Sequence, residues 1–247
     1  MIPNPILKVL STLTTRRVRF LLMGGQACVL YGAAQFSRDT DIAIAIDSAN
    51  LTTLTQALDD LQAKHIAVPP FEVDYLRRGL AVHFRCQHPD AKGMRIDVMH
   101  VMRGVALFDA LWNRRTTLDF EGILQIDLLA LPDLVKAKKT QRDKDWPMIR
   151  LLVESHHKQY GAAPNDDQVR FWLREARTPS ILEALANKFP TFLSEVSLDR
   201  PLLGRIAGAT LVAIELELQQ EEKLEREADR LYWKPLKKEL EQLRHRT

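Results

Sequence analysis

Hydrophobic and polar positions divide the chain into two parts of different character. Up to about residue 130, short apolar runs alternate with segments of helical spacing, whereas the rest of the chain has helical spacing only. Short or alternating apolar runs predict strands, and apolar residues recurring every three and four positions predict helices. We therefore predict an α+β fold, with a mixed β-sheet and flanking helices over residues 1–130 and an all-helical domain over residues 131–247.

The first part contains five predicted strands and four predicted helices. The strands are expected at residues 18–23, 40–46, 80–86, 94–99 and 123–128. The helices are expected at residues 6–13, 26–33, 48–63 and 105–113, with Ser48 as an N-cap. Residues 87–93 contain proline, aspartate and glycine, which is typical of a hairpin connection, and Pro69–Pro70 indicate a loop.

The second part is predicted to be helical to its end. Pro132 suits a first helical turn and predicts a helix that runs through the basic stretch 136–144. A long helix is expected from Leu203, and Pro235 is expected to break or kink it. Charges of both signs alternate over residues 221–230, which is typical of a solvent-exposed helix with internal ion pairs.

Composition and charge exclude several classes of protein. Of the 247 residues, 46% are hydrophobic and 27% charged, as in ordinary soluble globular proteins. The net charge of +3 allows an anionic substrate but is too small for a protein that coats nucleic acid. Cys28 and Cys86 have no CxxC neighbour and indicate reduced thiols. With no signal-peptide pattern and no membrane-length apolar stretch, we expect a cytoplasmic protein without a membrane partner.

Two consecutive glycines separate the first predicted strand from the helix after it. Gly24 and Gly25 allow a ligand to approach the backbone closely. Free N–H groups and the positive end of the helix dipole at such a junction favour a phosphate. Most Gly–Gly pairs only make turns, so this motif alone does not decide between a phosphate site and a turn.

Three aspartates supply the candidate chemistry. Asp39 and Asp41 begin the next strand, where the period of two places both carboxylates on one face, about 6–7 Å apart. They are either solvated or held together by a cation, because adjacent like charges repel. Asp97 lies in mid-strand, where aspartate is disfavoured unless something on its face binds it. Three such carboxylates suit Mg²⁺ or Mn²⁺, and two ions about 3.5–4 Å apart suit phosphoryl transfer.

The spacing of these motifs resembles a known superfamily. The order Gly-Gly, then Ser37-x-Asp-x-Asp41, then a strand aspartate resembles the DNA polymerase β-like nucleotidyltransferases. Within that superfamily, residues 15–150 look most like the bacterial stand-alone branch that includes AbiEii-type toxin nucleotidyltransferases. The stretch from Lys136 to Asp145 resembles the helix that closes the catalytic domain in this branch.

The resemblance implies an activity and a role for each motif residue. It implies transfer of a nucleoside monophosphate from an NTP to a hydroxyl of an RNA 3′ end, a protein or a small molecule. Catalysis and binding of Mg²⁺ or Mn²⁺ would fall to Asp39, Asp41 and Asp97, with Asp97 helping to activate the attacking hydroxyl. Nucleotide binding would fall to Gly24, Gly25 and Ser37. An antitoxin-like protein partner is implied as well.

Other residues leave alternatives open. Relatives commonly have arginine where Gln35 stands, which favours a catalytically silent nucleotide-binding or partner-binding module on the same fold. In the basic stretch, Lys136 or Lys139 either belongs to a solvated helix face or reaches the nucleotide triphosphate or an RNA backbone. Arg85 and Arg95 either contact phosphates or pair with aspartates across the sheet. No spacing of histidines and cysteines supports a zinc site.

Overall fold

The fold combines one mixed sheet with many helices, which confirms the predicted α+β class. The structure is a computed structural model that describes residues 4–34, 37–120 and 124–245. Gln35 therefore lies outside the described residues. Within these ranges the chain forms seven strands, twelve α-helices and one 3₁₀ turn, Pro89–Ala91. The strands are Phe20–Met23 (β1), Asp39–Ile44 (β2), Lys64–His65 (β3), Val82–Arg85 (β4), Arg95–Met99 (β5), Thr116–Phe120 (β6) and Leu124–Leu128 (β7).

Helices alternate with strands in the first half of the chain, and the second half contains helices alone among the described residues. The helices of the first half are Pro5–Thr15 (α1), Gly24–Leu30 (α2), Ser48–Asp60 (α3), Val73–Arg77 (α4), Phe108–Asn113 (α5) and Leu131–Ala137 (α6). Those of the second half are Asp145–Tyr160 (α7), Asp166–Glu175 (α8), Pro179–Lys188 (α9), Pro190–Ser197 (α10), Leu203–Ile206 (α11) and Leu211–Arg244 (α12). None of the helices in the described ranges is both long and apolar enough to cross a membrane.

The chain divides into two compact units. The unit that contains the sheet, here called the sheet unit, comprises residues 1–30, 34–137 and 233–247. The helical unit comprises residues 31–33 and 138–232. Helix α12 therefore contributes its first part to the helical unit and its last part to the sheet unit.

The seven strands have the order β3-β4-β5-β2-β1-β7-β6. The pairs β2–β5 and β1–β7 are parallel, and the other neighbours are antiparallel. In the centre, Ile42 and Ile44 of β2 and Ile96 and Val98 of β5 are fully buried on one face of the sheet. Because side chains alternate along a strand, the intervening residues of β2 and β5 lie on the opposite face. This opposite face carries the aspartates.

Several predicted elements of the first half needed correction. Helix α2 begins at Gly24 and ends at Leu30, so the predicted helix at 26–33 was displaced. Asp47, rather than Ser48, caps α3, because its Oδ1 accepts a hydrogen bond of 2.9 Å from the backbone N–H of Asn50. The strands β3 and β6 and the helix α4 were not predicted. The hairpin predicted at residues 87–93 is confirmed, since β4 and β5 pair antiparallel across it.

The helix predicted from Pro132 through Lys144 was wrong. Helix α6 ends at Ala137, and α7 begins at Asp145. The buried carboxylate of Asp145 holds the turn between them, with Lys138 Nζ at 3.2 Å, Thr140 Oγ1 at 2.6 Å and Arg142 Nε at 2.7 Å. Residues 138–144 therefore form a turn whose side chains bind the Asp145 carboxylate, where one continuous helix was predicted.

The last helix also differs from its prediction. It begins at Leu211, because Gly208 adopts a left-handed φ of 71° after α11 and Thr210 Oγ1 accepts from the N–H of Ala213. Helix α12 then continues through Pro235, which was expected to break or kink it. The side chain of Pro235 is exposed.

Candidate active site

The three predicted catalytic aspartates meet on one face of neighbouring strands in the sheet unit. In the parallel pair β2–β5, Asp41 lies opposite Asp97 and Asp39 lies opposite Arg95. Neighbouring strands are about 4.8 Å apart. All three aspartates are half-buried. The register of the two strands therefore places these three residues side by side.

Asp97 is held by two partners. His83 of β4 lies opposite Asp97, and its Nδ1 is 2.8 Å from Asp97 Oδ1. Arg95 Nε donates to the same oxygen at 2.7 Å. Burial raises the pKa of Asp97, but the hydrogen bonds from His83 and Arg95 outweigh it and lower the pKa below its usual value. The Asp97 carboxylate is therefore ionised and oriented.

The ionised state of Asp97 determines how His83 is bonded. Because a carboxylate only accepts hydrogen bonds, Nδ1 of His83 must carry the proton in their contact. The 3.1 Å approach of Arg95 Nη2 to the same Nδ1 is then not a hydrogen bond, since both nitrogens carry protons. The guanidinium of Arg95 interacts with all three aspartates. Burial lowers its pKa, but the charges of Asp97, Asp39 and Asp41 raise it overall.

Gly24 fits against Asp41 so closely that no other residue suits the position. It has a left-handed φ of 65°, which side chains rarely adopt. A Cβ atom at this position would lie 1.8 Å from Asp41 Oδ2. The backbone at the end of β1 therefore lies directly beside the Asp41 carboxylate, and the absence of a side chain at residue 24 sets the position of that carboxylate.

Gly25 and Ser37 form a second close contact. A Cβ atom at Gly25 would lie 2.4 Å from Ser37 Oγ. Ser37 is fixed in turn by the buried side chain of Gln26, whose Nε2 donates to Ser37 O at 2.9 Å. Ser37 Oγ donates to Asp39 O at 3.3 Å. The start of α2 and the approach to β2 are thus joined beside the aspartates.

The donor chemistry fits a hard divalent cation. Carboxylate oxygens are the ligands that Mg²⁺ and Mn²⁺ prefer, and Asp39, Asp41 and Asp97 share one face of two adjacent strands. Among residues 4–34, 37–120 and 124–245, however, no three His, Cys, Asp or Glu side chains are grouped closely enough to hold an ion. Asp97 is directed towards His83 and Arg95. Binding of an ion by all three aspartates therefore requires side-chain rotation.

The two lysines predicted to bind nucleotide have different surroundings. Lys136 is exposed in the last turn of α6, in the sheet unit. Lys139 Nζ lies 2.7 Å from Glu175 Oε2 within the helical unit. Arg142 and Lys144 are exposed in the turn between α6 and α7 and not on a helix face, whereas Lys138 is buried against Asp145.

Sequence reasoning missed two contributors to the site. His83 was not predicted to belong to the site, and its bond to Asp97 was not foreseen. The hairpin between β4 and β5 was the available signal, because its register places residues 83 and 97 opposite each other. Gln26 was read only as the start of a helix, and nothing in the local pattern indicated its bond to Ser37.

Comparisons with known proteins give little further guidance. No protein-family model matches the chain, and no curated protein matches it. One matching solved structure is described as "Crystal structure of putative nucleotidyltransferase from H. pylori". It is 16% identical, with 91% of this chain and 93% of that chain covered and a TM-score of 0.39. Similarity this weak carries no argument about activity, which rests on the site itself.

Proposed function

We propose that this protein is a metal-dependent nucleotidyltransferase that moves a nucleoside monophosphate from an NTP to an acceptor hydroxyl. The observation that carries the proposal is the placement of Asp41 beside Asp97 in a parallel register, with Asp39 on the same face. The order of Gly-Gly, Ser-x-Asp-x-Asp and the later strand aspartate selects this reaction class, because it resembles the polymerase β-like superfamily.

Each residue of the site has a defined task in this proposal. Asp39, Asp41 and Asp97 would hold Mg²⁺ or Mn²⁺, which when bound supplies positive charge to the phosphate oxygens. The acceptor oxygen forms a bond to the α-phosphorus, the bond from that phosphorus to the bridging oxygen breaks, and pyrophosphate leaves. The carboxylate of Asp97 accepts the proton of the acceptor hydroxyl, which its ionised state allows.

The glycine turn positions the donor nucleotide. The backbone of Gly24 lies against the Asp41 side chain and that of Gly25 against the Ser37 side chain, where a Cβ atom would not fit. A triphosphate placed along this backbone would lie beside Asp41. Lys136 is a further candidate for contact with the phosphates because its side chain is exposed. The resemblance to AbiEii-type toxins proposes RNA or protein as the acceptor and an antitoxin-like protein as a partner.

One observation favours a second candidate function. Arg95 and His83 already bind the Asp97 carboxylate, as they would in a site that has given up metal binding. The alternative is a catalytically silent module that binds a nucleotide or a partner on the same fold. It predicts that nucleotide binding, if present, does not depend on a divalent cation.

A transfer assay distinguishes the two candidates. Purified protein is incubated with each α-labelled NTP, Mg²⁺ or Mn²⁺, and total RNA or cell extract, beside the variants Asp41→Asn and Asp59→Asn. Asp59 is an exposed aspartate on α3 and serves as the matched control. The proposal expects label in RNA or protein with the wild type and Asp59→Asn, and at least about a 10³-fold loss with Asp41→Asn.

Metal-dependent binding decides the outcome if no label is transferred. NTP binding that needs Mg²⁺ or Mn²⁺ and is lost in Asp41→Asn would retain the enzyme proposal and direct the search to small-molecule acceptors. Binding that is equal with and without the cation would reject the enzyme proposal in favour of the silent module.

A further inference from the structure

The helical unit contains a group of buried charges that is separate from the aspartates of the sheet. Arg177 and Arg200 are 7% and 5% exposed, which is unusual for arginine. They come from the loops after α8 and α10. We call the following group the buried arginine cluster: Lys139, Glu175, Arg177, Arg200 and Glu221.

Arg200 is well satisfied in this cluster. Its Nε and Nη2 donate to the two carboxylate oxygens of Glu221 at 3.0 and 2.8 Å. Its Nη1 donates to Leu173 O at 2.8 Å, and Nη2 also donates to Ala176 O at 3.0 Å. Every nitrogen of this guanidinium therefore has an acceptor, and Arg200 fixes the loop that follows α8.

Arg177 is not satisfied. Its Nη1 lies 2.8 Å from Glu221 Oε2 but without hydrogen-bond alignment. Within the described part of the chain, Nε, Nη1 and Nη2 of Arg177 are all buried without a hydrogen-bond partner. One face of the guanidinium lies 4.7 Å from the ring of Trp146. The ring attracts the positive charge of the guanidinium, but it offers no hydrogen-bond acceptor to the five N–H groups that lie in the plane of the guanidinium.

The charges of the cluster do not balance either. One carboxylate, Glu221, faces both Arg177 and Arg200. The other nearby carboxylates are engaged, Glu175 by Lys139 at 2.7 Å and Glu222 by Arg226 at 2.6 Å. Asp143 also contacts Arg226 but is almost fully exposed, so water screens its charge. A positive charge thus remains on the two buried arginines.

Water alone does not remove this imbalance. Buried water would accept hydrogen bonds from Arg177, but it carries no charge to offset the second guanidinium. An oxyanion does both, because two of its oxygens match the parallel N–H groups of an arginine fork. Lys139 and Glu221 are 17% and 24% exposed in their side chains, so the cluster reaches the surface at these residues.

We propose that the buried arginine cluster binds an oxyanion of the phosphate type, with Arg177 Nε and Nη2 as its principal donors. The group is either free inorganic phosphate or the phosphate of a nucleotide, and both present the same oxygens to the fork. This site is independent of Asp39, Asp41 and Asp97 and does not require the proposed transferase activity.

Phosphate binding by the intact chain tests the proposal. Inorganic phosphate is titrated into metal-free protein at constant ionic strength, with chloride as the reference, and binding is followed by calorimetry and by tryptophan fluorescence. The variants are Arg177→Gln, Arg177→Lys, Asp41→Asn and, as a matched control, Arg174→Gln. Arg174 lies in the last turn of α8, just before the loop that carries Arg177, and its side chain is 40% exposed.

We expect saturable phosphate binding that Arg177→Gln weakens at least about tenfold, with Arg177→Lys intermediate because lysine keeps the charge but lacks the fork. Arg174→Gln and Asp41→Asn should bind as the wild type does, which separates this site from the glycine turn. Tighter binding of AMP than of phosphate would identify a nucleotide, and equal binding would identify the free anion. Absence of saturable binding by the wild type, or equal binding by folded Arg177→Gln, would overturn the proposal.

Discussion

The aspartates of the sheet and the buried arginine cluster each bring charges of the same sign together, negative on the sheet and positive in the helical unit. On the sheet, the guanidinium of Arg95 interacts with Asp39, Asp41 and Asp97. In the helical unit, the carboxylate of Glu221 faces both Arg177 and Arg200. The first group has an excess of negative charge and the second an excess of positive charge, so each lacks a charged component of the opposite sign.

The two groups also differ in how the chain assembles them. Strand register places the aspartates, and their position depends on backbone hydrogen bonds between β2 and β5. Loops and helices far apart in the sequence supply the arginine cluster, and contacts between side chains hold it. We expect the sheet group to tolerate loss of its counter-ion better than the helical group does.

Removal of Glu221 should have the largest effect. In Glu221→Gln, two buried arginines lose the carboxylate they share, and breaking a buried ion pair from one side costs about 3 kcal/mol or more of unfolding free energy. Glu217→Gln is the control on the same helix, because its partner Arg205 is exposed and water screens such a pair, so its loss should cost far less. Denaturant unfolding measures both, and similar losses in the two variants would contradict the comparison.

Gly24→Ala should lower activity by displacing the Asp41 carboxylate, an effect that a control with the same backbone strain lacks. The added Cβ atom collides with Asp41 Oδ2, and displacement of a catalytic group by about 1 Å can cost about 10²-fold in activity. Gly104→Ala has a similar left-handed φ of 72° with nothing within 4 Å, so it imposes the same backbone strain without the collision. Label transfer should fall in Gly24→Ala only. Equal activity of the two variants would show that Asp41 tolerates displacement.

Arg95→Gln should tighten metal binding. Removing the guanidinium takes away a positive charge that interacts with all three aspartates, so we expect Mn²⁺ affinity to rise about tenfold in a titration followed by electron paramagnetic resonance. Arg85→Gln is the control, since Arg85 is exposed on β4 and lies opposite Arg95. An unchanged affinity in Arg95→Gln would mean that Asp97 does not share an ion with Asp39 and Asp41.

Acid should lower the unfolding free energy through both groups, and we expect this effect to be the smallest of the four that we predict. Burial raises the pKa of Asp97 and of Glu221, but the bonds from His83 and Arg95 lower that of Asp97 and the bonds and charges of the buried arginines lower that of Glu221, so both pKa values fall below the usual value. Their ionised forms therefore stabilise the fold at a pH above the ordinary carboxyl pKa of about 4, and this stability is lost as the pH falls further. Asp97→Asn should flatten the fall in unfolding free energy between about pH 5 and pH 3. An unaltered slope would contradict the lowered pKa.

The sequence was most informative where local periodicity determines position. Asp39 and Asp41 were predicted on one face because strands have a period of two, and the register of β2 with β5 puts Asp97 opposite Asp41. The approach of Gly24 to Asp41 could not be measured from the sequence, since it depends on the pairing of β1 with β2. Their roles in metal binding and catalysis stay predictions.

Tertiary contacts explain what the sequence did not reveal. The helix predicted through residues 136–144 failed because Asp145 binds Lys138, Thr140 and Arg142, which helical spacing alone does not indicate. Arg177 and Arg200 were not singled out, because their common partner Glu221 is distant in the sequence. Helix propensity and local sequence patterns predict neither the turn at Asp145 nor the pairing of the two arginines with Glu221.

The path of the chain between the two units sets an order for synthesis. The sheet unit includes residues 233–247, and Arg78 Nη1 lies 2.5 Å from Glu239 Oε1 within it. On a ribosome, every residue of the helical unit has therefore been made before the last segment of the sheet unit emerges. A nascent chain that stops at residue 232 contains a complete helical unit and a sheet unit that lacks its final segment.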